Sequence, residues 1–100
     1  MRPRAGFDLL VIHTHVPDAC AEFHRAIGLE PVREQHGTGP EHWAVSLDDG
    51  TVIEIYPARP DRVTGYLRVD LTLAHSPLGP GRHRLTDPDG RTIVVTVDPG

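Results

Sequence analysis

The chain has 100 residues, 38% of them hydrophobic, with 14 acidic side chains against 10 arginines, no lysine and a formal charge of −4. That length builds one small domain, the acidic balance excludes the basic stripe of a nucleic-acid binder, and the single Cys20 excludes an internal disulfide. No apolar run reaches the ~18 residues of a membrane span, and residues 7–16 are broken by Asp8, His13 and His15, a poor signal peptide, so a soluble cytoplasmic protein is expected.

The first predicted element covers residues 8–16. Leu9, Leu10, Val11 and Ile12 place apolar groups at both parities, as in a strand covered on both faces. Leu10, Ile12 and Val16 share one face, while Leu9, Val11, His13 and His15 share the other. Pro17 stops the strand and Asp18 reads as a helix N-cap. Ala19, Phe23, Ala26 and Ile27 then recur at helical spacing, with Glu22, His24 and Arg25 on the wet side, until Gly28 supplies a left-handed stop. Strands follow at 31–36 and 42–47 around a turn at 37–40, and Asp48-Asp49-Gly50 turns into a strand at 51–56. Residues 8–57 therefore read β-α-β-β-β, and 57–65 read as a linker.

The second half starts similarly, with Leu67, Val69, Leu71 and Leu73 alternating against Arg68, Asp70 and Thr72. Residues 75–82 hold two prolines and two glycines and cannot form a helix. A closing hairpin is expected from 83–86, the turn Asp87-Pro88-Asp89-Gly90, and a strand at 92–97. The second half is a shortened copy of the first, without its helix and one strand.

A strand-helix-three-strand unit used twice, with FHRAIGLEPV, DDGTVIEIYP and DPDGRTIVV, resembles the vicinal oxygen chelate superfamily. That superfamily holds glyoxalase I, extradiol dioxygenases, fosfomycin-resistance enzymes and bleomycin-resistance proteins. The resemblance implies an α+β fold: one glyoxalase/bleomycin-resistance-like domain, a βαβββ module at 8–57 and a truncated β-only module at 66–97, forming a cupped mixed sheet. It also implies a divalent metal held by the first and fourth strands of each half, at Val11, Glu54, Arg68 and Val94. Only Glu54 can ligate, because valine has no donor atom and a guanidinium repels a cation. No metal cofactor is therefore expected at that place.

Parity puts His13, His15, Glu54, Tyr56, Arg68, Asp70 and Thr72 on the concave face, with Val11, Val52 and Val94 between them. An apolar floor with a few convergent polar groups is the usual form of a small-molecule site, and Glu54 with Arg68 is a candidate internal ion pair. Two imidazoles on one strand, His13 and His15, with Glu54 nearby offer an alternative: a relocated two-histidine, one-carboxylate metal site. Against it, His15 sits at the strand end as a solvated residue. His36 and His42 flank one turn, His75 and His83 flank the proline-rich loop, and both loop positions permit ligand contact. Cys20 lies in the first helical turn, where the dipole lowers a thiol pKa, but a small core filler is the commoner role.

Seven aliphatic side chains, Leu67, Val69, Leu71, Leu73, Ile93, Val95 and Val97, form a second convex face without a helix of its own. Leu78 and Pro80 can cover part of it, and an isologous homodimer through this face is the expected cover for the rest. The leading functional expectation is metal-independent small-molecule binding in the cup. The alternatives are a metal-dependent lyase, isomerase or dioxygenase on His13, His15 and Glu54, or a non-catalytic dimerisation module.

Overall fold

The apolar run after Asp8 forms β1 (Leu9–Thr14), and Pro17 ends it by opening helix α1 (Pro17–Ala26). The computed structural model describes residues 5–100, so the first four residues of the N-terminal stretch lie outside the described residues. Strands β2 (Val32–Glu34), β3 (His42–Ser46) and β4 (Val52–Pro57) complete the first unit, and β5 (Arg68–Leu73), β6 (Gly81–Thr86) and β7 (Thr92–Val97) the second. The α+β class with one helix is as expected.

The helix start differs from expectation. Val16 occupies the cap position, Asp18 lies in the first turn, and no side chain caps the helix. Proline at the start has no N–H to satisfy, and the Thr14 hydroxyl takes the Val16 N–H at 3.0 Å. Asp18 instead accepts a bond from the Trp43 indole N–H at 2.9 Å, with the Arg25 and Arg33 guanidinium groups against the same ring. At the other end Gly28 has φ +111°, and a Cβ there would also meet Pro77 at 3.2 Å.

Hydrogen bonds divide the strands into two mixed sheets, in the orders β1-β4-β3-β2 and β5-β7-β6. In each, a parallel pair (β1 with β4, β5 with β7) is flanked by an antiparallel strand (β3, β6). The second sheet thus repeats the first without the counterpart of β2. One hydrophobic cluster serves both. It joins Ile12, Ile53 and Ile55 of the first sheet, Cys20 and Ile27 of the helical segment, and Leu71, Ile93, Val95 and Val97 of the second sheet.

This overturns the expected open face. All seven aliphatic residues assigned to it are buried or half-buried within a single chain, with Val69, Leu73 and Leu78 also packed on the shared cluster. The loss of the second helix is made good by sharing the first core, so this face does not require a second copy of the chain. The sequence-based reason for a homodimer through Leu67–Leu73 and Ile93–Val97, a face with no cover of its own, therefore falls away.

The Asp87–Gly90 turn supplies a polar anchor. Arg91 is 0% exposed and Asp87 4%. The guanidinium donates to Asp87 Oδ2 at 3.0 Å and to the Thr64 carbonyl at 2.8 Å, and lies 2.8 Å from Asp89 Oδ2. Asp87 Oδ1 meanwhile accepts the Asp89 and Arg91 backbone N–H groups. Burial alone would lower the guanidinium pKa, but the bonds and charges of Asp87 and Asp89 together more than offset it and hold it up.

His24, expected on the wet side, is 3% exposed, and its Nδ1–H donates to the Cys20 carbonyl at 2.8 Å. Burial pushes its imidazole below the ordinary range. The unfolded chain therefore takes up a proton before the folded one does. Stability is complete above about pH 6.5 and falls as the pH drops from there toward the folded value. Urea midpoints measured from pH 7.5 to 5 should decline over this window in the native chain and flatten in His24→Gln.

Candidate functional site

The register of the first sheet lines up side chains from all four strands on its concave face. Glu34 of β2 pairs with His42 of β3, and His13 of β1 pairs with Tyr56 of β4. The β3–β4 pairing, Trp43 with Ile55 and Ala44 with Glu54, brings His42 beside Tyr56. Their rings stack at 4.0 Å and 14°. His36, just beyond β2, stacks on the other side of His42 at 4.9 Å, and His13 lies 5.8 Å from Tyr56. Four rings therefore stand in a row, His36–His42–Tyr56–His13, and loops 35–41 and 57–65 contribute to its borders. Thr64 of the second loop bonds His13 in both directions: its hydroxyl takes the His13 N–H at 2.9 Å and its own N–H meets the His13 carbonyl at 3.0 Å.

Two carboxylates meet two imidazoles at one end of this row. His42 Nε2 lies 3.4 Å from Glu34 Oε1 and 3.4 Å from Glu54 Oε2; His36 Nε2 lies 3.5 and 3.6 Å from the same two oxygens. The His42 side chain is fully buried, and its Nε2 has no hydrogen-bond partner. Glu54 is 15% exposed, whereas Glu34 and His36 reach the surface. Burial, followed by the Glu54 and Glu34 charges, pushes the Tyr56 hydroxyl pKa up, which keeps it a neutral donor.

The residues singled out in the sequence separate into three groups. His13, Glu54 and Tyr56 share the concave face of the first sheet as expected. His15 falls beyond β1 and is exposed. Arg68 and Asp70 lie on β5 of the other sheet, where Arg68 donates to Asp70 at 2.8 and 3.0 Å. The expected Glu54–Arg68 pair is therefore replaced by Glu54 with two histidines and Arg68 with Asp70. A metal set of His13, His15 and Glu54 does not assemble. The chelating cluster found among the described residues is Glu34, His36, His42 and Glu54. In the sequence His36 and His42 stand out only as residues beside a turn, and Glu34 does not stand out. Parity of His42 with Ala44, opposite Glu54, was the available signal.

The metal position implied by the family resemblance does not fit a cation. Val11 and Val94 offer hydrocarbon, Val94 being 2% exposed, and Arg68 is a cation already paired. Cys20 is no reactive thiolate: burial pushes its pKa up, against the dipole effect expected from its position. A separate cleft of about 630 Å³ opens between the ends of the two sheets. Leu29, Leu47 and Leu73 line it, with Glu30, Asp48 and Asp49 among its polar groups.

No family model and no curated protein matches the chain. Solved structures do match over nearly its whole length. TnmS3, an antibiotic binding protein from Streptomyces sp. CB03234, superposes with a TM-score of 0.65 at 14% identity, covering 98% of this chain and 99% of that one. The oxidase ChaP-H2 gives 0.60 at 14% identity, covering 98% and 100%. An integron cassette protein from the mobile metagenome of V. Cholerae gives 0.59 at 17%, covering 97% and 98%. These likenesses show the fold alone, which the chain shares with TnmS3 and ChaP-H2 and which agrees with the fold implied by the resemblance read in the sequence.

Proposed function

We propose that the protein binds a small organic molecule in the concave cup of the first sheet, without catalysis at the metal position of its fold type. The observation that carries this reading is the row of rings beside an apolar floor. Val11 and Val52 are only half-buried and Ala44 is buried, between His13, Tyr56 and Glu54. Rings on a rigid sheet give stacking partners to a flat ligand, and the Tyr56 hydroxyl with the Glu54 carboxylate gives it direction. An antibiotic-binding protein and an oxidase share this fold. The loss of ligands at Val11, Arg68 and Val94 favours binding over redox chemistry here.

The 630 Å³ cleft supports a second reading, because its volume suits a drug-sized molecule and its carboxylates suit a cationic one. Equilibrium dialysis against a panel of planar polycyclic antibiotics tests both. Binding in the cup is expected to weaken about tenfold or more in Tyr56→Ala and His13→Ala, and to be unchanged in Asp48→Asn/Asp49→Asn. The reverse pattern moves the site to the cleft, and no binder in the panel sinks the small-molecule reading.

A further inference from the structure

The Glu34–His36–His42–Glu54 cluster has a geometry that hydrogen bonding does not explain. His42 Nδ1 lies 3.2 Å from the Pro40 carbonyl. A carbonyl only accepts, so Nδ1 carries a proton and Nε2 of the neutral ring carries a lone pair; an Nε2–H would find no aligned acceptor either, because Nε2 has no hydrogen-bond partner. That lone pair is buried and unpartnered, and it faces two carboxylate oxygens, which are also acceptors. Three acceptors converging without a donor, one of them on a fully buried side chain, is a costly arrangement. A cation among them resolves it.

Four of the six donor-to-donor spacings match a small tetrahedral cation. An ion bound tetrahedrally at ~2.0–2.2 Å holds its ligand atoms about 3.3–3.6 Å apart. The four histidine-to-carboxylate separations are 3.4, 3.4, 3.5 and 3.6 Å; the remaining two pairs, His36 with His42 and Glu34 with Glu54, lie within 4.8 Å, and rotation of the exposed His36 and Glu34 side chains closes them onto the ion. Two imidazoles and two carboxylates are a borderline donor set and carry the charge of a divalent ion. The surrounding contacts are those of a ligand shell. The Pro40 carbonyl sets the His42 tautomer, and the stacked His36 and Tyr56 rings fix its plane.

We infer that Glu34, His36, His42 and Glu54 form a tetrahedral binding site for a divalent cation of the zinc class. Three of its four ligands come from β2, β3 and the start of their connecting loop, so it shares only Glu54 with the four corners implied by the family resemblance. With four protein ligands the site is closed, and it acts by tying loop 35–41 to β4 rather than by activating water. It shares Glu54 with the proposed cup but needs no organic ligand to form.

The test uses the untagged 100-residue chain, freed of metal by a chelator and titrated with zinc alone by calorimetry, then with cobalt by visible absorption. One zinc per chain is expected, with the strong visible bands of tetrahedral cobalt, and a rise in Tm of about 10 °C at a free zinc concentration ~100 times Kd. His36→Ala removes an exposed ligand without disturbing the core and should weaken zinc binding at least about tenfold, as should the isosteric Glu54→Gln. No zinc uptake by the native chain, affinity unchanged in both variants, or a weak octahedral cobalt spectrum would each overturn the site. Because no organic molecule is present, failure here leaves the cup reading untouched, and failure of the antibiotic panel leaves this one untouched.

Discussion

Arg91→Met should cost about 3–5 kcal/mol, because it leaves the carboxylate of Asp87 buried without its countercharge. For a chain of this size that is a fall in Tm of at least about 12 °C, read by calorimetry or circular dichroism. The effect should extend beyond the β6–β7 turn. Arg91 holds the Thr64 carbonyl, and Thr64 bonds His13 through both its hydroxyl and its N–H. The guanidinium thus connects the second sheet to the linker that borders the ring row on the first. Hydrogen exchange at His13 and Thr64 should accelerate in Arg91→Met even below its melting transition. Unchanged stability would mean that the turn, not the ion pair, holds this junction.

Ile93→Ala carries the second large expectation, a loss of about 2–5 kcal/mol. Ile93 is 2% exposed on β7 and belongs to the cluster that also contains Ile12 and Ile55 of the first sheet. The single chain supplies its surroundings, so the native Tm and the penalty should both be independent of protein concentration. A Tm that rises with concentration, with the penalty shrinking in dilute solution, would show that a second copy covers this face after all.

Much of the fold was legible in the sequence because its signals are local. Alternation in β3 and β7, the proline at the helix start and the Asp-Asp-Gly and Asp-Pro-Asp-Gly turns each report on a few neighbouring residues. The second module was legible by comparison with the first, and its missing helix followed from the prolines and glycines of 75–82. What was hidden is how two modules share one core. Leu71 and Val95 look like an exposed face in a sequence because nothing local says that Ile12 and Ile27 lie across from them.

The site was legible in part for the same reason. Pleat alone puts His13, Glu54 and Tyr56 on one face, and the structure agrees. Pleat cannot say which faces of different sheets meet, so it groups Arg68 and Asp70 with residues of another sheet. Nor does it set hairpin register: Glu34 meets His42 only because the intervening loop aligns them. His24 and Arg91 show a further limit, since both are polar at positions that a pattern reads as wet, and each is buried with partners far along the chain or one turn back.

The ring row as the binding surface is the claim most directly open to measurement, through the backbone amide spectrum of the isotope-labelled chain titrated with a molecule that binds it. Shifts centred on His13, Ala44, Glu54 and Tyr56 are the predicted result. Shifts confined to residues 28–30, 46–49 and 70–75 would place the ligand in the cleft between the sheets and contradict it.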